Sequence, residues 1–71
     1  MIGQTTKILA YMQGGGSLTQ FEALNLFGCM RLGARIWDLR HDGHRIISEL
    51  VHTANRHGEP VKYARYTLME G

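Results

Sequence analysis

One cysteine and one proline are all that the 71 residues contain of the two residues that most constrain a backbone. A lone thiol, Cys29, closes no intrachain disulfide, which excludes a disulfide-stapled secreted fold and fits a reducing compartment. Cys29 is expected to be a small buried apolar residue. No stretch approaches the ~20 apolar residues of a membrane span. The N-terminus also lacks a charged region followed by a long apolar one, so neither a spanning helix nor a signal peptide is expected. The expectation is a soluble intracellular protein with no membrane partner. Four histidines are present, but no close cysteine pair precedes spaced histidines, so His41 and His44 carry no metal-ligand signature. They flank Gly43, where a histidine can cap helix carbonyls. Gly14, Gly15 and Gly16 are followed by Ser17 and Leu18 rather than by the lysine of a phosphate loop. No nucleophile stands beside a histidine in a catalytic motif, so the chain is expected to be no enzyme and to need no cofactor.

Charge of either sign is also scarce. Eight Lys and Arg against six Asp and Glu leave a formal charge of +2, which permits a polyanionic partner without compelling one. Its distribution says more: residues 1–28 hold Lys7 against Glu22, whereas residues 29–65 hold seven basic side chains against Asp38, Asp42, Glu49 and Glu59. A chain of this length buries only roughly 60% of its unfolded surface, so it supports one core and one domain. A 44% hydrophobic content confines disorder to the ends, residues 1–3 and 69–71.

From Gln4 to Gln13 the residues Ile8, Leu9 and Met12 recur at helical spacing, with Thr5 on the same face, and the three glycines stop this first helix. Thr19 followed by Glu22 is a capping box, with Leu18 and Ala23 as a hydrophobic staple, so a second helix is predicted to begin at Thr19. Its inner face is expected to carry Phe21, Leu24 and Phe27, and Gly28 is expected to close it in the left-handed conformation. A turn of about three residues leads into residues 31–42, where Leu32, Ile36 and Leu39 form one apolar stripe. Two helices joined by so short a glycine-containing turn match the helix-turn-helix unit, whose second helix enters the major groove of DNA.

Beyond Gly43 the period becomes extended. Residues 45–51 are rich in β-branched side chains, and residues 62–68 alternate Ala64, Tyr66 and Leu68 against Tyr63, Arg65 and Thr67. Two antiparallel strands are predicted, joined by a loop over residues 52–60 with Arg56 and His57 at its tip. Ile46 and Ile47 point opposite ways, so the buried face of the first strand stays open. The order describes an α+β winged helix-turn-helix: three helices, then a two-stranded β-hairpin wing, in one domain ordered over residues 4–68.

With the apolar stripe turned inward, a rotation of about 100° per residue puts Arg31, Ala34, Asp38 and His41 on the outer side of the third helix, with Arg35 at its edge. Arg31 lies in the first turn, where its fork can bond guanine O6 and N7, and Ala34 can pack on a thymine methyl. The competing reading is a solvated face on which Arg35 and Asp38 merely pair. Gly33 hints at a close approach to a backbone or partner, and Arg40 is expected to bond nearby carbonyls or acids rather than bases. In the hairpin, Arg56, His57 and Lys62 are candidates for phosphate contacts. Trp37 falls on the outer half of the helix, where an exposed tryptophan can anchor a protein partner.

The run "KILAYMQGGGSLTQFEALNLFGCMRLGARIWDLRHDGHRI" and the later "ARYTL" resemble a family of small helix-turn-helix domains of bacteriophages and prophages. "SLTQFEAL", "RLGARIWDLRHDGHRI" and "ARYTL" carry the resemblance together. It implies a winged-helix fold and binding of double-stranded DNA, with residues 31–40 as the recognition helix, in the cytoplasm of a bacterial host. A transcriptional regulator or a recombination accessory factor would fit. A homodimer would multiply specificity over two half-sites, although no dimer seam stands out. The rival expectation is a protein-interaction module binding a host or phage protein through Trp37, Met30 and the third helix.

Overall fold

A glycine run, a capping box and a left-handed glycine divide the first half of the chain. The computed structural model describes residues 3–69; the expectation of disorder at residues 1, 2, 70 and 71 lies outside the described residues. Helix α1 (Gln4–Gln13) ends where the Gly14 N–H returns to the Ala10 carbonyl and Gly15 takes φ 96°. Helix α2 (Gln20–Phe27) starts at the predicted box: Glu22 N–H donates to Thr19 Oγ1 at 3.3 Å, and Thr19 N–H donates to Glu22 Oε1 at 3.1 Å. Helix α3 (Leu32–His41) follows a short turn, and its stripe of Leu32, Ile36 and Leu39 is buried as the spacing requires.

The expected inner face of α2 is overturned at two of its three residues. Phe21 is 74% exposed and Leu24 46% exposed; the buried residue is Ala23, with Phe27 half-buried and set edge-on to Tyr11 at 5.8 Å. Phe27 packs against the core as expected, while Phe21 and Leu24 give up the inward side to Ala23 and to the amide of Gln20, each one residue or about 100° earlier on the helix. A small residue at its centre lets α2 lie close to the core, and Gln20 is brought to the turn.

The sheet also holds more than the hairpin. Strand β1 (Leu18–Thr19) pairs antiparallel with β3 (Pro60–Leu68), Leu18 opposite Tyr66 and Thr19 opposite Arg65, and β2 (Ile46–Ala54) flanks β3 on its other side. The predicted α+β winged architecture stands, with a third strand added to the hairpin. Two residues are too few for any alternation to be read. The core is Ile8, Met12, Leu18, Ala23, Cys29, Leu32, Ile36, Leu39 and Ile46, drawn from every helix, from β1 and β2 and from the turn after α2. Ile46 faces it and Ile47 faces away, which settles the sidedness of β2.

Both hairpin strands run longer than predicted, taking in His52, Thr53, Ala54 and Pro60 and leaving only residues 55–59 as the loop. Apart from half-buried Val51, their distal halves are exposed on both faces. The Cα radius of gyration, 12.8 Å, exceeds the roughly 11 Å of a compact chain of this length, and the long axis is 40 Å. The hairpin projects from the core as a wing. Among the described residues no helix is long and apolar enough to cross a membrane.

Candidate nucleic-acid interface

The turn between α2 and α3 is built by backbone geometry and two glutamines. Gly28 takes φ 65°, a left-handed conformation that glycine adopts without a Cβ penalty. Its N–H reaches the Leu24 carbonyl at 3.0 Å, and the Cys29 N–H reaches Ala23 at 3.2 Å. Gln20 then bridges α2 to α3: its Nε2 donates to the Cys29 carbonyl and its Oε1 accepts from the Leu32 N–H, both at 2.7 Å. Leu32 opens α3, so its N–H is one of the donors that a helix start leaves without a partner. Gln4 adds longer bonds from its Nε2 to the Phe27 and Gly28 carbonyls, at 3.3 and 3.4 Å. Neither glutamine was singled out from the sequence. The only local signal is that Gln20 follows the cap residue directly, and its partners lie 9 and 12 residues away.

On α3 the candidate residues divide by what already holds them. Arg31 is the N-cap residue, exposed and without an ion pair among the described residues. It shares a cleft of about 290 Å³ with Gln4, Met30 and Arg35. Arg35 reaches Asp38 at 3.3 Å, a half-exposed pair that contributes about 0–1 kcal/mol. Its Nε is enclosed without a hydrogen-bond partner. Ala34 is half-buried, and a Cβ added at Gly33 would meet nothing within 4 Å, so nothing in the chain itself requires glycine there. Arg40 is structural, as expected: Nε and Nη2 donate to the Ile46 carbonyl at 3.1 and 2.9 Å, tying the end of α3 to the start of β2. His41 lies beside a helix carbonyl, Nδ1 3.0 Å from the oxygen of Trp37.

The wing tip is a closed turn. Asn55 Oδ1 accepts from the His57 and Glu59 N–H groups at 2.9 and 3.1 Å, while the Asn55 N–H donates to the Glu59 carbonyl at 3.0 Å. Arg56 and His57 are held outward on this frame, both exposed. Lys62 is not beside the loop as expected but inside β3, opposite His52, because the strands extend further than the turn residues indicate. Arg65 is drawn to Glu49 at 3.7 Å.

The structure thus brings Arg31 and Arg35 into one cleft at the start of α3 and sets Arg56, His57 and Lys62 along the wing. Between α2 and β3 lies an open groove lined by Phe21, Leu24 and Tyr63, the first two of which were expected on the inner face of α2.

A comparison with protein families matches residues 3–71 to the model described as a winged helix-turn-helix domain. No curated protein and no solved structure matches the chain.

Proposed function

Because the chain belongs to the winged helix-turn-helix domain family, for which DNA binding is the general function, we infer that it binds double-stranded DNA with α3 in the major groove and the wing on the phosphate backbone. The observation that carries this reading is where uncommitted cations lie. Arg40 is occupied by a carbonyl, and Arg35 and Arg65 stand against carboxylates. Lys7, Arg31, Arg45, Arg56 and Lys62 make no ion pair among the described residues, and of these Arg31 opens α3 while Arg56 and Lys62 lie on the wing. These are the two elements that this fold lays on a duplex. In this reading Arg31 meets base edges, with Ala34, Arg35 and Asp38 along the same helix face, while Arg56, His57 and Lys62 meet phosphates. The proposal extends to a role as a regulator or recombination accessory factor in the cytoplasm of a bacterial host, motivated by the three-helix order and the basic excess after Gly28. A homodimer on paired half-sites extends the proposal.

Binding of mixed-sequence duplex DNA across a salt series tests it. With Arg56 and Lys62 each neutralising a phosphate, log affinity falls against log salt with a slope of about −2. Arg56→Ala weakens all sequences alike, whereas Arg31→Ala removes the preference at the base that Arg31 contacts. Binding that is absent, or insensitive to salt, refutes the reading.

A second reading has its own support: Met30 is 80% exposed and Trp37 58% exposed, an apolar display suited to a protein partner. A pull-down from host lysate whose captured proteins are the same with Trp37→Ala removes it.

A further inference from the structure

Trp37 and His41 stand one turn apart on α3, and their rings stack with centroids 3.6 Å apart at 26°. Leu32, Ile36 and Leu39 turn inward, so at 100° per residue the opposite side of the helix is occupied by Ala34, Trp37 and His41. Both rings are exposed. A second contact fixes the imidazole: Nδ1 lies 3.0 Å from the Trp37 carbonyl oxygen. That oxygen can only accept, so Nδ1 carries the proton and donates, and in the neutral ring Nε2 keeps its lone pair. The imidazole is therefore held by its face and by one nitrogen, with a single acceptor on its free edge. A side chain already immobilised gives up less freedom on binding than a loose one.

Little else on this face is free to bond. Arg35 and Asp38 face each other, and Arg40 is spent on Ile46. What remains is Arg31 at one end of α3 and His41 at the other. Ten residues at 1.5 Å each separate them by about 15 Å, or about four base-pair steps of 3.4 Å.

We propose that the Trp37–His41 pair is a second specificity-determining site of α3, at which His41 Nε2 accepts a hydrogen bond from the exocyclic amino group of adenine or cytosine, about four base pairs from the base that Arg31 contacts. The proposal rests on the DNA-binding reading above. In the major groove only adenine N6 and cytosine N4 donate, whereas guanine presents acceptors and thymine an acceptor and a methyl group. A fixed acceptor thus selects by kind of group, not by shape. Trp37 is the positioning residue: it holds the ring plane and shields the bond from water, which strengthens it.

Selection of randomised duplexes by the full chain, followed by sequencing of the bound pool, tests this with wild type, His41→Ala, His41→Gln and Trp37→Ala. Circular dichroism establishes that each variant is folded. Wild type is expected to show two informative positions about four base pairs apart, one guanine and one adenine or cytosine, the latter preferred about fivefold. His41→Ala flattens the second position and leaves the first. His41→Gln, whose amide pairs with adenine N6 and N7, restores adenine but not cytosine. Trp37→Ala weakens the second position alone. A His41→Ala profile identical to wild type overturns the proposal and leaves DNA binding standing. A uniform loss at all positions shows a structural role and also overturns it. Failure of wild type to bind any duplex in a salt-dependent way removes both the proposal and the reading beneath it.

Discussion

Replacing Gln20 with alanine removes both hydrogen bonds that join α2 to the start of α3. The Cys29 carbonyl and the Leu32 N–H, each 2.7 Å from the amide, belong to residues whose side chains are fully buried. Each stranded backbone group costs about 1–3 kcal/mol. Gln20 itself is exposed, so water reaches part of the vacated space, and a total near 3 kcal/mol follows. A domain of this length holds about 4–11 kcal/mol in all, so the loss is a large fraction. At about 4–8 °C per kcal/mol the melting temperature falls by roughly 12–24 °C, read by circular dichroism. Gln20→Glu separates the two limbs. Its carboxylate still accepts from Leu32 N–H and favours the helix N-terminus, but it repels the Cys29 carbonyl, so it is expected to melt between wild type and Gln20→Ala. A drop of less than about 3 °C for Gln20→Ala refutes the bridge as a stabilising element. A Glu variant less stable than the Ala variant refutes the acceptor limb.

Gly33→Ala is expected to stabilise the free protein by about 1 kcal/mol, since the new methyl group meets nothing and helical glycine is unfavourable. Affinity for duplex DNA falls in the same variant if α3 lies against the duplex there; a stabilised protein with unchanged affinity shows that Gly33 faces no close partner. Urea unfolding distinguishes the two possible inward stripes of α2. Ala23→Leu overpacks the core and costs about 1–3 kcal/mol, whereas Phe21→Ser changes stability by about 0.5 kcal/mol or less. The opposite order restores the stripe that apolarity suggests.

Where a structural feature depends on neighbours in the chain, it was legible before any fold was known. The Thr19 and Glu22 box, the Gly28 stop and the Leu32, Ile36 and Leu39 stripe each span a turn or two of helix, and each is where the spacing puts it. The structural duty of Arg40 was legible because Ile46 lies only six residues on. The wing was legible in kind but not in length, because His52, Thr53 and Ala54 become strand through pairing with Lys62, Val61 and Pro60 rather than through their own propensities. For the same reason Lys62, expected as the first residue of its strand, stands two residues inside it.

The order of elements, the separation of α1 from α2 by glycines and the inward face of α3 were determined by the sequence itself, because caps, breakers and a 3.6-residue period act within a few residues. Tertiary structure alone decided which face of α2 turns inward, that residues 18 and 19 join the sheet, and which arginines are left uncommitted. Each of these depends on a partner brought close only by the folded chain: the turn that Gln20 reaches, the strand that Leu18 pairs with, the carboxylate or carbonyl that each guanidinium meets. Amphipathicity says that a face is buried; packing decides against what.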